Sequence, residues 1–221
     1  MKILVGYTGF VGSNLYLKGD FDEVYNSKNI KKSYGKNPDL LVYSGLRAEK
    51  FLANNNPEKD MKLIYDAQEN IKEINPRKLV LISTIDVFKN PVGVDENTEI
   101  NTENLHPYGL NRYKLECWVR KNYNDALIIR LPALFGKNLK KNFIYDLINL
   151  IPSMLNEDKF KDLLSKKNDI ERYYEKQDNG FYKLIKIENR IKKNKLKKIF
   201  EELKFTALNF TDSRSVYQFY P

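Results

Sequence analysis

Tyr108 and Arg112 stand four residues apart in a stretch that reads as a helix, so both side chains project from one face. Tyrosine can serve as a general acid or base. Its free pKa of ~10 means that proton abstraction near neutrality needs a downward shift of roughly three units, about 4 kcal/mol. Only a close, partly desolvated cation supplies that, and Arg112 is the candidate; a solvated pair gives under about 1 kcal/mol. Upstream, Ser83 and Thr84 end a strongly apolar run, KLVLIS, at the edge where open α/β sheets put their ligands. Asp86 follows as a second acid or a turn cap. Arg130 suits a phosphate or an acid partner.

A second constellation is made of backbone. Gly6, Gly9 and Gly12 recur as G-x-x-G-x-x-G between the first apolar run, KILV, and the first helix-like stretch. In that position the first glycine makes a tight turn, the second lets a pyrophosphate approach the backbone, and the third lets helix pack on strand. The N–H groups of the opening helix turn then face the phosphates. A dinucleotide site normally shows a carboxylate about 20 residues on, where it meets the adenosine ribose. Here that place holds Tyr25, Asn26, Ser27 and Lys28, with no acid. A carboxylate repels a ribose 2′-phosphate, whereas these side chains receive one, so the expected cofactor is NADP, with NAD as the alternative.

The elements that must position these groups alternate short β-rich runs with helical stretches, the pattern of a parallel sheet with crossover helices. Strands are expected at 2–5, 23–26, 40–44, 78–83 and 126–131, and helices at 11–18, 60–74 and 108–123. After Gly136 the character changes: 142–205 reads as helices, and 206–220 as extended. The expected class is therefore α/β, a Rossmann-like doubly wound parallel sheet over 1–141 with a mainly helical part over 142–221.

Composition narrows the alternatives. With 221 residues, 42% hydrophobic and 30% charged, the chain has the make-up of an ordinary globular protein, and no apolar run reaches the ~20 residues of a membrane helix. The opening residues lack the features of a secretory signal, so a cytoplasmic location is expected. One cysteine, Cys117, excludes an internal disulfide, and one histidine, His106, argues against a His-ligated metal or a Ser-His-Asp triad. His106 reads as a loop residue. The net charge of +9 raises nucleic acid as a partner. Its densest cluster, Lys192, Lys193, Lys195, Lys197 and Lys198, alternates with Ile191, Leu196, Ile199 and Leu203 at helical spacing, however, and reads as the solvated back of an amphipathic helix.

In GYTGFVG at 6–12, ISTIDVF at 82–88, PYGLNR at 107–112 and IIRLPALFG at 128–136, with LLVYSG at 40–45, the chain resembles the extended short-chain dehydrogenase/reductase family. These are NAD(P)-dependent epimerases, dehydratases and reductases of nucleotide sugars. The resemblance covers residues 1 to about 146. It implies that Gly6, Thr8, Gly9, Phe10, Val11, Gly12, Asn26, Ser27, Lys28, Ser44, Gly45, Pro132 and Ala133 bind the cofactor, with Pro132 and Ala133 by the nicotinamide. Thr84 matches the substrate-binding hydroxyl and Tyr108 the catalytic tyrosine, with Arg112 where the family has a lysine. Ser83, Asp86, Arg130 and Asn142 are the substrate-side candidates. A homodimer through the helix at 108–122 is implied as well. Family members run longer than this chain, whose end is expected to reflect shortening. The alternative expectation is a dinucleotide-binding scaffold or assembly protein without hydride chemistry.

Overall fold

Apolar runs with side chains buried on both faces form the centre of a parallel sheet. In the computed structural model, which describes residues 1–137, 139, 149–177 and 180–203, the strands are β1 (Lys2–Val5), β2 (Glu23–Tyr25), β3 (Leu40–Tyr43), β4 (Leu79–Thr84) and β5 (Leu127–Leu131). Their order is β2-β1-β3-β4-β5, and every adjacent pair is parallel. The chain moves outward from β1 to β2 and then returns to β3, which puts a topological switch, and hence a crevice, beyond the carboxyl ends of β1 and β3.

The crossovers are α1 (Phe10–Lys18), α2 (Lys50–Asn55) with α3 (Pro57–Ile74), and α4 (Pro107–Asn122). Ile64, Ala67, Ile71 and Ile74 make one stripe along α3 and pack with Leu115 and Val119 of α4 against Ile3, Leu41, Leu79 and Leu81. All ten are at most 1% exposed, so this is the core that fixes the sheet. Pro57 opens α3, where its missing N–H costs nothing, and the Asn56 carboxamide accepts the Lys59 N–H at 3.1 Å. At the other end Asn75 takes a left-handed conformation and stops the helix.

One feature differs from the sequence expectation in this part: the helix α2 was not anticipated, because six residues are too few to show a period. Between Asn26 and Pro38, a stretch too short for a further strand and helix, the chain makes a 3₁₀ turn, Ile30–Ser33.

The chain divides into two units between residues 138 and 139. Described by itself, the second contains β6 (Met154–Leu155), α5 (Glu157–Lys166), β7 (Tyr174–Lys176), β8 (Tyr182–Leu184) and α6 (Arg190–Glu202). The strands form a small antiparallel sheet, β6-β8-β7. Its core joins Leu155, Phe160, Leu163, Ile170, Leu196, Ile199 and Phe200, and the rings of Phe160 and Tyr182 stack at 3.8 Å. Helices supply most of its regular structure, as expected, but the strand pairing at 174–184 corrects the all-helical reading of 142–205. Tyr-rich segments of this kind favour a pleated, half-buried surface. On α6 the apolar stripe is Leu196, Ile199 and Phe200, while Ile191 is exposed.

Candidate functional site

The glycine turn separates into two structural demands and one opening. Gly6 leaves β1 at φ +93°, and a Cβ there would lie 2.2 Å from the Ser44 carbonyl oxygen. At Gly12 it would lie 2.1 Å from the Gly6 carbonyl oxygen. Neither obstacle can move, since both are backbone. Gly9 is different: its added Cβ would meet only the Gly6 carbonyl oxygen, at 3.3 Å. Gly9 is also the N-cap of α1, no side chain caps that helix, and its first turn carries no acid. The first N–H groups of a helix have no partner within it, so the opening at Gly9 is shaped and polarised for an anion.

Several of the other expected cofactor residues lie beside this turn. The Gly6 N–H donates to the Tyr25 carbonyl at 2.7 Å, and the Ser44 N–H to that of Val5 at 2.9 Å, which ties the ends of β2 and β3 to β1. The Asn26 side chain lies 3.4 Å from the Tyr7 hydroxyl, and its carbonyl oxygen accepts the Lys28 N–H at 2.9 Å. Ser27 and Lys28 are exposed, as are Thr8 and Gly9, while Phe10 and Val11 are half-buried. A Cβ at Gly45 would sit 3.1 Å from Val5 and the Tyr43 ring. The loop after β5, with Pro132 and Ala133, leads to Lys137, whose carbonyl accepts from the Asn14 carboxamide of α1 at 2.9 Å. These residues fit a dinucleotide: two glycines permit the turn, and the third leaves room for the phosphates.

At the end of β4, the Thr84 hydroxyl accepts the Asp86 N–H at 3.2 Å and starts a short 3₁₀ turn. The Asp86 carboxylate is 2.7 Å from the Lys50 ammonium and 3.9 Å from His106 Nε2. The start of α4 sits directly on this turn, because a Cβ at Gly109 would fall 2.0 Å from the Asp86 carbonyl oxygen. Thr84, Asp86 and the beginning of the tyrosine helix are thereby brought together. Lys50 and His106 complete the cluster, and the sequence reading did not single out either as functional. Lys50 lies in the unanticipated α2. For His106 a signal existed: a proline at the first helical position makes the preceding residue the cap.

Tyr108 is buried, and its N–H donates to the Asn54 carboxamide at 3.0 Å. Burial raises the phenol pKa above its ordinary value, and the charges of Asp86 and Asp60 raise it further, against the opposing charge of Arg112. The expectation of a depressed pKa is corrected here: desolvation of the phenolate outweighs the cation. Arg112 does lie against the ring, 4.3 Å from its centroid. It is itself only 3% exposed, with Nη1 2.6 Å from Asp60 Oδ2 and Nη2 donating to the Arg47 carbonyl at 2.8 Å. Asn111 donates to the same Asp60 oxygen at 2.9 Å. The guanidinium thus joins α3 and α4, and its charge is balanced within the protein.

Ser83 and Arg130, expected on the substrate side, both turn to Glu116 of α4, a fully buried carboxylate. The Ser83 hydroxyl donates to it at 2.6 Å, and Arg130 does so through Nε at 3.2 Å and Nη2 at 2.8 Å. Their polar atoms are engaged in packing α4 on β4 and β5. Asn142 lies outside the described residues. Among the described residues no cluster of His, Cys, Asp and Glu could hold a metal ion, and no helix is long and apolar enough to cross a membrane.

No family model and no curated protein matches this chain. Solved structures do. It is similar to the dTDP-4-dehydrorhamnose reductase of Bacillus anthracis, solved in complex with NADP, at 19% identity and a TM-score of 0.56, over 92% of this chain and 81% of that one. The Yersinia enterocolitica dTDP-4-dehydrorhamnose reductase matches at 19% identity and a TM-score of 0.55, over 66% of this chain. The Thermus thermophilus UDP-glucose 4-epimerase, solved with NAD, matches at 15% and 0.53, over 67%. The chain spans 58% of the Yersinia enzyme and 60% of the Thermus one. At these identities the likeness is one of fold, and the resemblance read from the motifs holds at that level: a Rossmann-like α/β fold.

Proposed function

We propose that this protein binds NADP(H), with NAD(H) as the alternative dinucleotide, at the glycine turn, and reduces a keto group on a nucleotide sugar with Tyr108 as proton donor. The observation that carries the reading is the opening at Gly9, at an uncapped helix start beside the β1/β3 switch point. Likeness in fold to two dTDP-4-dehydrorhamnose reductases supports the substrate class. Asn26, Ser27 and Lys28 are suited to a ribose 2′-phosphate. When bound, a reduced nicotinamide supplies hydride to the carbonyl carbon.

Tyr108 then gives its proton to the carbonyl oxygen, and Thr84 orients that oxygen. Burial keeps the phenol protonated at neutral pH, the state a proton donor must be in before the step. The test combines calorimetric titration of NADPH and NADH with turnover on a dTDP-4-keto sugar. Tyr108→Phe is expected to abolish turnover while dinucleotide affinity stays within about twofold. Failure of both dinucleotides to bind at millimolar levels overturns the proposal.

A second reading, a dinucleotide-binding scaffold without turnover, is favoured by one observation: the Arg112 charge is balanced by Asp60 and shielded from solvent. Tight binding with no turnover on any nucleotide sugar selects it.

A further inference from the structure

His106 caps the helix that carries Tyr108 with a titratable group. Its Nδ1 accepts the Gly109 N–H at 3.0 Å, and its carbonyl accepts the Leu110 N–H at 3.1 Å. Capping by imidazole requires an unprotonated Nδ1, so the neutral ring carries its proton on Nε2, the nitrogen facing Asp86. Protonation converts Nδ1 from acceptor to donor. The Gly109 N–H then loses its partner, and a positive charge appears at the positive end of α4. Tyr108 is the second residue of that helix, and its ring lies 6.3 Å from the imidazole in a stacked arrangement. Gly109 leaves no slack, since a Cβ there would fall 2.0 Å from the Asp86 carbonyl oxygen.

We infer that His106 is a positioning residue for Tyr108: the neutral imidazole fixes the first turn of α4 against the Asp86 turn, and protonating it releases the tyrosine end of the helix. This rests on the proposed role of Tyr108, but the cap itself is independent of any reaction. Three groups bear on the ring: Lys50 of α2 disfavours the charged form, Asp86 of the 3₁₀ turn favours it at 3.9 Å, and Tyr108 of α4 stacks beside it. Arg112 and Asp60 act on Tyr108 and are not among the groups that shift the imidazole. Burial and Lys50 together hold His106 below its ordinary 6.5. The unfolded chain therefore binds more protons than the folded one just below pH 6.5, so stability falls as pH is lowered through that window and levels off below the folded value.

The test compares wild type, His106→Asn and His106→Ala between pH 8 and 5. Asparagine is an equally good cap that does not titrate here. Thermal midpoints and hydrogen exchange of the 107–112 amides are read at each pH, with the turnover profile alongside. Wild type is expected to lose midpoint temperature and about fivefold in amide protection below its own transition. His106→Asn keeps both constant, and His106→Ala is low throughout. In the turnover profile the acid limb of wild type is absent from His106→Asn. The same acid loss in wild type and His106→Asn overturns the inference, as does a turnover limb that survives the asparagine. Absence of turnover in every variant counts against the proposed reaction, and the exchange and melting data then decide the cap.

Discussion

At the residue scale, position 112 changes role between sequence and structure. The i, i+4 spacing of Tyr108 and Arg112 placed them correctly on one face, and the guanidinium does meet the ring. What spacing could not supply was Asp60, 52 residues earlier, because a tertiary ion pair leaves no local pattern. Removing one partner from such a buried pair strands the other. Asp60→Asn is expected to destabilise the fold by about 3–5 kcal/mol, read by urea unfolding. Arg112→Lys should also lower stability, since an ammonium cannot reproduce the two-pronged contact with Asp60 and the Arg47 carbonyl. The glycines give a cleaner separation. Gly9→Ala should cost under about 1 kcal/mol in stability yet weaken NADPH binding at least about tenfold. Gly12→Ala, with backbone in the way, should destabilise by about 2 kcal/mol or more. Equal effects of the two on unfolding would contradict the geometry of the turn.

At the element scale, β1, β3, β4 and β5 were legible because each is a largely apolar run, and α3 because its stripe keeps a 3.6-residue period. The helix α2 and the strands β7 and β8 were not, since each is short and mixes polar with apolar residues, leaving neither an apolar run nor a period. Yet α2 carries Lys50 and Asn54, which reach Asp86 and the Tyr108 N–H. An Asn54→Ala change leaves that N–H without its acceptor. We expect a loss of about 1 kcal/mol of stability, with tighter coupling to His106 than to distant sites in a double-mutant cycle.

At the scale of the whole molecule, each unit has a hydrophobic core of its own. Phe200→Ala empties the centre of the second core and is expected to cost about 3–5 kcal/mol there, while NADPH affinity at the glycine turn should be little changed. Calorimetry alongside a binding titration checks both halves of that statement. A homodimer through 108–122 is implied only by the resemblance to the family, and sedimentation equilibrium tests it.

The Glu116 carboxylate has a consequence for how this chain can change over generations. Ser83 and Arg130 both bond the acid, with Arg120 at 3.5 Å as a second, more exposed cation, so a lineage that drops Glu116 or Arg130 first passes through a weakened ancestor. Swapping the whole set for apolar side chains of matching volume can be neutral or better. Single steps away from the Glu116–Arg130 pair are therefore costly, and the two are expected to persist or vanish together in descendants whatever substrate they handle.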